Sequence, residues 1–290
     1  MWIDYVAKQV VVAVPNLLRS VPLMVANRLS RVRIPQKSPH NVVISLTSHG
    51  GRLRHVHLTL ESIARGNLQA PVVLWLDEKD FHAPWPRSLQ RLVDRGLQVR
   101  CSDGSYGPHT KYWSTFRELA GTGTRVVTID DDMIYPEWLL ERMLFIGQLR
   151  PDCVVPYRAH RIELRAGRIM PYKKWSPANT SDASLLHFAT GVSGVLYPAS
   201  FVDFVVAQGD AFMELSPRAD DVWLHLCALR SGHQIRQVFS RPRSFAVNPP
   251  AQREALVRGN TMGGGNDAQI AQAYTPEDVA HLVRISQLED

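Results

Sequence analysis

Three adjacent carboxylates, Asp130, Asp131 and Asp132, end the run Val126-Val127-Thr128-Ile129 and precede Met133-Ile134-Tyr135-Pro136. Four apolar or β-branched residues suit a buried strand. Three acids in a row cannot stay buried unpaired, so they belong at the strand's carboxyl end, where a parallel sheet opens into a crevice. Oxygen donors clustered there suit a hard divalent cation, Mg2+ or Mn2+, shared with a substrate phosphate. Asp130 and Asp132 take the outer positions as metal ligands. With Asp131 between them, the register of the triplet stays open. The alternative is an acidic start to a helix over 137–149.

The elements that must position these acids alternate regularly. An opening strand over 41–46 runs into Thr47-Ser48-His49-Gly50-Gly51-Arg52. Leu53, Val56, Leu60 and Ile63 then keep helical spacing up to Gly66. A strand over 72–76 ends in Asp77, and a helix over 89–95 stops at Gly96. A third strand over 97–100 leads to Asp103, a helix covers 112–119, and the acid strand covers 125–129. This alternation predicts an α/β fold, with a parallel sheet covered by helices on both faces. Thr47, Asp77, Asp103 and the Asp triplet then share the ligand edge. Further on, the pattern predicts short strands over 154–156, 161–164 and 234–238 and a hairpin turn at 165–168. It also predicts a mobile loop over 173–183 and helices over 200–207, 219–230 and 276–285.

Four motifs stand in order along this frame: the Thr47-Ser48 turn; Gly107-Pro108-His109-Thr110-Lys111-Tyr112; the Asp triplet with Tyr135-Pro136; and Gly191–Pro198 followed by Ala219-Asp220-Asp221-Val222-Trp223. Residues 40–245 thereby resemble a nucleotide-sugar glycosyltransferase of the A-type fold, similar to the family-2-like enzymes that build bacterial surface polysaccharides. The resemblance implies a single Rossmann-like A-type domain with a mixed central sheet over 39–247. It is flanked by an amphipathic helical segment over 1–38 and a glycine-rich loop and helix over 248–290. It implies a nucleotide-diphosphate sugar donor (a UDP-sugar favoured), a glycan or glycolipid acceptor, and inverting transfer of a hexose with Mn2+ or Mg2+.

The same resemblance makes the triplet an Asp-x-Asp metal motif and assigns the base to the acidic helix start, Asp221 or Asp220. Lys111 can offset phosphate charge as a point charge. Asp77 and Asp103 can hydrogen-bond a uracil or ribose edge, or simply form Asx turns and helix caps. Gly191 and Gly194 allow close approach of backbone to a sugar, or form an ordinary turn. Trp175, Trp223 and Tyr197 are candidates to stack on sugar, Trp223 being better placed in a core. His225 and His233 are weaker metal candidates. The glycine stretch over 260–267 either closes over the diphosphate or links to the last helix.

Within 1–38, six basic residues face Asp4 alone, so this segment carries five of the net +6 charges. Basic charge gathered outside the body weighs against nucleic acid, which needs a basic stripe on the folded domain. The uncharged runs, 9–18 and 20–27, fall short of the roughly 20 residues that span a bilayer. Apolar and basic residues together suit an anchor on anionic headgroups, placing the chain on the cytoplasmic face of the cell membrane. A helix packed on the domain or on a partner is the alternative. Cys101, Cys153 and Cys227 have neither disulfide-framework nor zinc spacing, which suits a reducing compartment. Two rivals remain: a catalytically silent scaffold of the same fold in a membrane polysaccharide complex, and a nucleotidyltransferase. For the latter, Gly50-Gly51-Arg52 is a poor phosphate loop.

Overall fold

The computed structural model describes residues 18–248 and 265–289. Residues 1–17 of the basic segment and 260–264 of the glycine stretch lie outside the described residues.

Four strands carry the first half: β1 (Val42–Thr47), β2 (Val72–Leu76), β3 (Gln98–Cys101) and β4 (Arg125–Thr128). They run parallel in the order β3-β2-β1-β4. Each is joined to the next through helix: α1 (Val56–Ala64), α2 (Arg87–Val93) and α3 (Trp113–Leu119). All five residues of β2 are buried, because helices cover both faces of a parallel sheet and leave no solvent side. After α4 (Leu139–Leu149), β5 (Val155–Pro156) and β6 (Val195–Tyr197) extend the sheet beyond β4. β6 is antiparallel to both β4 and β5, so the sheet is mixed. The fold is a mixed α/β, Rossmann-like domain.

Alternation along the strands builds two cores. Val127 and Leu196 join the core under α1, α2 and α4; Val126, Val195 and Tyr197 join the one under α3, α5 (Ala199–Ala207) and α6 (Asp220–Ser231). Each fully buried aliphatic side chain, such as Leu74, contributes about 1.5–3 kcal/mol. Two last helices, α7 (Gly265–Ala273) and α8 (Pro276–Glu289), pack on the second core through Ile270, Ala273 and Leu282.

The chain leaves β1 towards β2 and β3, then returns to the other side of β1 for β4. Strand order reverses between β1 and β4, which makes their carboxyl ends the topological switch point of the sheet.

The irregular half departs from the sequence pattern in three places. These do not include the hairpin turn expected at 165–168, which forms between Leu164–Arg165 and Arg168–Ile169 through Ala166 and Gly167 at φ +50° and +72°, the pair a two-residue turn of this hand requires. The strand expected over 161–164 is split, because Ala159–Arg161 pairs elsewhere, with Ser176–Pro177 and His187–Ala189. The strand expected over 234–238 is reduced to isolated bridges from Ile235 to Val154 and Ser184. The segment 173–183, read as a mobile loop, is pinned instead. Ala178 N–H donates to the Ala159 carbonyl at 3.0 Å, and Gln237 Nε2 donates to the Ala178 carbonyl at 2.6 Å.

Candidate active site

The acid triplet leaves β4 at the switch point and is fixed from several sides. Ile129 N–H donates to the Ser45 carbonyl at 3.1 Å, so β4 keeps its register with β1 up to the first acid. Asp130 N–H donates to the Tyr135 hydroxyl at 2.9 Å, folding the loop back on its own buried tyrosine. The Thr59 hydroxyl on α1 lies 2.8 and 2.7 Å from the carbonyls of Asp131 and Met133. Asn248 N–H donates to the Asp132 carbonyl at 2.7 Å, next to the pairing of Met133–Ile134 with Ala246–Val247.

Asp131, expected at the donor, is turned inward and anchors the loop. Arg52, in the turn Gly50–Arg54 after β1, grips both its oxygens through Nε and Nη2, and the Ser48 hydroxyl donates to Oδ2. Burial still pushes the Asp131 carboxyl upward, against the pull of Arg52. Arg52 Nη2 also lies 3.0 Å from Asp132 Oδ2. The Asp132 carboxyl is raised to about 6, by burial first and the charge on Asp130 next.

The second centre is a junction of four chain segments. Lys111 ends the turn Gly107–Lys111; its carbonyl accepts from the Ser45 hydroxyl at 2.6 Å, which ties the turn to β1. Its buried ammonium lies 3.2 Å from Asp130 Oδ1 and 2.7 Å from Asp220 Oδ2. Burial pulls the Lys111 pKa down, but Asp130, Asp220 and Asp221 together outweigh it and hold it well above the ordinary value. Asp220 and Asp221 open α6, and both carboxylates point off their own helix. Asp220 meets Lys111, and Asp221 Oδ1 accepts the Gly191 N–H at 2.9 Å. Desolvation, then the charge on Asp220, raises the Asp221 carboxyl to about 8.

Gly191 is glycine for a steric reason. A Cβ there would sit 2.7 Å from Lys111 Nζ and 3.2 Å from Asp221 Oδ1. Gly194, at φ +94°, closes the same turn by donating its N–H to the Gly191 carbonyl at 3.0 Å.

The remaining expected residues are distributed along and beyond the edge. Thr47 ends β1, and Asp77 and Asp103 follow β2 and β3, in a row leading away from Asp130. Three strand spacings make that row roughly 14 Å long. The Thr47 hydroxyl donates to the Trp75 carbonyl at 2.9 Å. Asp77 makes no capping bond to the turn after it, and its carboxyl is raised by burial and by Asp80. Asp103 is exposed and paired with Arg117. Trp175 is buried in the second core against Tyr172 and Phe188, its Nε1 donating to the Met170 carbonyl at 2.7 Å. Trp223 and Tyr197 are buried there too. His225 is buried between the Tyr274 hydroxyl and the Leu185 carbonyl, and burial lowers its pKa to about 4. His233 lies against Ser200 and Ser231.

The roles of Ser48, Arg52, Thr59 and Tyr135 in holding the acid triplet are not expected from the sequence pattern. The available signal was charge: a buried carboxylate needs a cation, and Arg52 follows the neighbouring strand.

Among the described residues, no group of three or more His, Cys, Asp or Glu side chains is arranged to hold a metal ion by itself. The donor set nevertheless fits Mg2+ or Mn2+ bound together with a substrate. Such ions take one or two carboxylates and complete their shell with phosphates and water. Asp130 and Asp132 supply two hard-oxygen side chains beyond the end of β4, each a quarter exposed or less and each already paired with a cation, Lys111 and Arg52 respectively.

No protein-family model matches the chain, and no curated protein matches it. Among solved structures it is similar to S. aureus TarS 1–349, at 13% identity and a TM-score of 0.45, over 70% of this chain and 59% of that one. It thus spans 59% of the length of that TarS structure. It is also similar to a 4-diphosphocytidyl-2C-methyl-D-erythritol synthase at 12% identity and a TM-score of 0.40, over 77% of this chain and 97% of that one. The synthase from Anaerococcus prevotii gives 13% and 0.45, over 72% and 94%. Strand order and the placement of the acids define the site here.

Proposed function

We propose that the chain is a cation-dependent, inverting glycosyltransferase that moves a hexose from a nucleotide-diphosphate donor to a hydroxyl of a glycan or glycolipid. The observation that carries this reading is the junction at the switch point. One lysine stands among Asp130, Asp220 and Asp221, in a space only a glycine leaves open.

The donor's nucleoside, uridine by preference, would lie along the row Thr47, Asp77 and Asp103, with its diphosphate towards Asp130. Mn2+ or Mg2+ held by Asp130 and Asp132 would neutralise charge developing on the leaving diphosphate. Lys111 adds a fixed positive charge beside Asp130. Asp221 is the base. A carboxylate raised to about 8 takes a proton more readily than an ordinary one once ionised. The Gly191 N–H fixes one of its oxygens and leaves the other for the acceptor hydroxyl. Attack by that hydroxyl, opposite the leaving group, inverts the sugar in one displacement. The turn through Gly191 and Gly194 would border the acceptor, with Trp175 supporting it from the core. The basic segment 1–38 would hold the chain against the cytoplasmic face of a membrane.

The test is release of nucleoside diphosphate from a panel of UDP- and GDP-sugars, with Mn2+ and a glycolipid acceptor. One donor should turn over with wild type and fall at least about a hundredfold with Asp221→Asn. Turnover of no donor while nucleotide still binds would favour the scaffold.

A further inference from the structure

We infer that the outer face of residues 18–33 is a docking surface for an anionic lipid bilayer. It rests on the membrane contact proposed above and narrows it to one helix face, independent of the transfer chemistry.

Residues 18–29 are helical, and the helix is packed with its polarity reversed. Ser20, Leu23 and Asn27, at helical spacing, face the domain and are buried. Asn27 Nδ2 donates to Glu61 Oε1 and to the Ser88 carbonyl, each at 2.9 Å. Arg91 donates to Asn27 Oδ1 at 2.7 Å, and Arg95 holds Glu61 through both carboxylate oxygens. A hydrogen-bonded polar patch therefore seats the helix. A polar seat of this kind fixes which way the helix faces, since rotation would leave Glu61 and Arg91 with lost partners.

The opposite face carries Leu18, Val21, Val25 and Leu29, again at helical spacing, with Met24 and Val32 beside them. Leu18 is 67% exposed and Leu29 75%. A folded domain rarely leaves so many large apolar side chains together on one face without a partner. Charge selects the partner. Residues 18–38 hold Arg19, Arg28, Arg31, Arg33 and Lys37 and no acid, and all five are exposed. None has an acidic partner among the described residues. An apolar stripe rimmed with arginine matches an interface whose depth is apolar and whose surface is anionic. A second copy of the chain would bring two such basic rims together and be repelled. Among the described residues no helix is long and apolar enough to cross a membrane, so the helix would lie in the headgroup plane.

The experiment is flotation of the full chain with phosphatidylcholine vesicles, with and without phosphatidylglycerol, alongside light scattering. Three proteins are compared: wild type, Val21→Ser/Val25→Ser/Leu29→Ser, and Arg28→Gln/Arg31→Gln/Arg33→Gln. All the substituted residues are exposed, so melting temperature and nucleotide binding should stay at the wild-type values. Wild type should bind only the anionic vesicles, and each triple variant should lose roughly tenfold or more in partitioning. Wild-type flotation by the serine variant would overturn the inference while leaving a membrane contact through residues 1–17. Failure of wild type to float would overturn both. A wild-type dimer that the serine variant dissociates would assign the face to self-association and overturn the lipid reading.

Discussion

Arg52 and Lys111 stand among carboxylates at the same switch point, yet to opposite ends. Arg52 presents a planar fork to both oxygens of Asp131, and Ser48 completes the set. Such matched, charge-assisted bonds make a rigid anchor. Lys111 offers a point charge in contact with two carboxylates and in the field of a third. Asp221 is held there by one backbone N–H, and its carboxyl is raised to about 8. Where donors match acceptors, the acid is structural. Around Lys111 three carboxylates share one cation, the kind of strained charge arrangement that the proposed cation binding and proton transfer would use, at a cost in stability.

Asp221→Asn should sharpen this contrast most. Turnover should fall about 10²–10⁴-fold with nucleotide affinity kept, as read by steady-state kinetics and calorimetry. The pH dependence follows from the direction of the shift. Between roughly 4 and 8 the folded chain keeps a proton on Asp221 that the unfolded chain has released. This carboxyl's contribution to stability therefore declines as pH rises through that window. If Asp221 is the base, as proposed, kcat/KM should rise over the same window as the carboxylate ionises. The asparagine variant should lose both slopes and melt a few degrees higher near pH 8.

Removing either cation comes next. Arg52→Met and Lys111→Met should each destabilise by about 3–5 kcal/mol in urea, because each leaves buried carboxylates unpaired. The conservative replacement separates them. Arg52→Lys should recover little stability, since an ammonium cannot span both Asp131 oxygens. Equal recovery by lysine would break the distinction between fork and point charge.

Gly191→Ala is the smallest change. The added Cβ meets the paired Lys111 ammonium and Asp221 Oδ1, so the loss of stability should be about 1–3 kcal/mol. Displacing Lys111 and Asp221 should nevertheless lower turnover roughly tenfold.

The first half of the fold was readable because each element carries its own signal. The strand expected over 72–76 is β2, and the helices over 89–95 and 112–119 fall within two residues of α2 and α3. Topology then places Thr47, Asp77, Asp103 and the triplet on one edge, with no side-chain detail needed. The second half was less readable because its strands are two or three residues long and depend on distant partners. The burial of Asp131 was also hidden, since its partner lies 79 residues away. The helix before β1 shows a third limit: a wheel of residues 18–29 separates two faces, but only the Glu61–Arg95 seat reveals that the polar one turns inward.

The most direct measurement is calorimetric titration of UDP and GDP into wild type and Asp130→Asn, each with Mn2+ and with EDTA. The Asp130 side chain is a quarter exposed, so the variant should fold. The site described here predicts binding of one nucleotide, UDP by preference, that requires Mn2+ and weakens roughly tenfold or more in the variant. Binding indifferent to both EDTA and the substitution would contradict it.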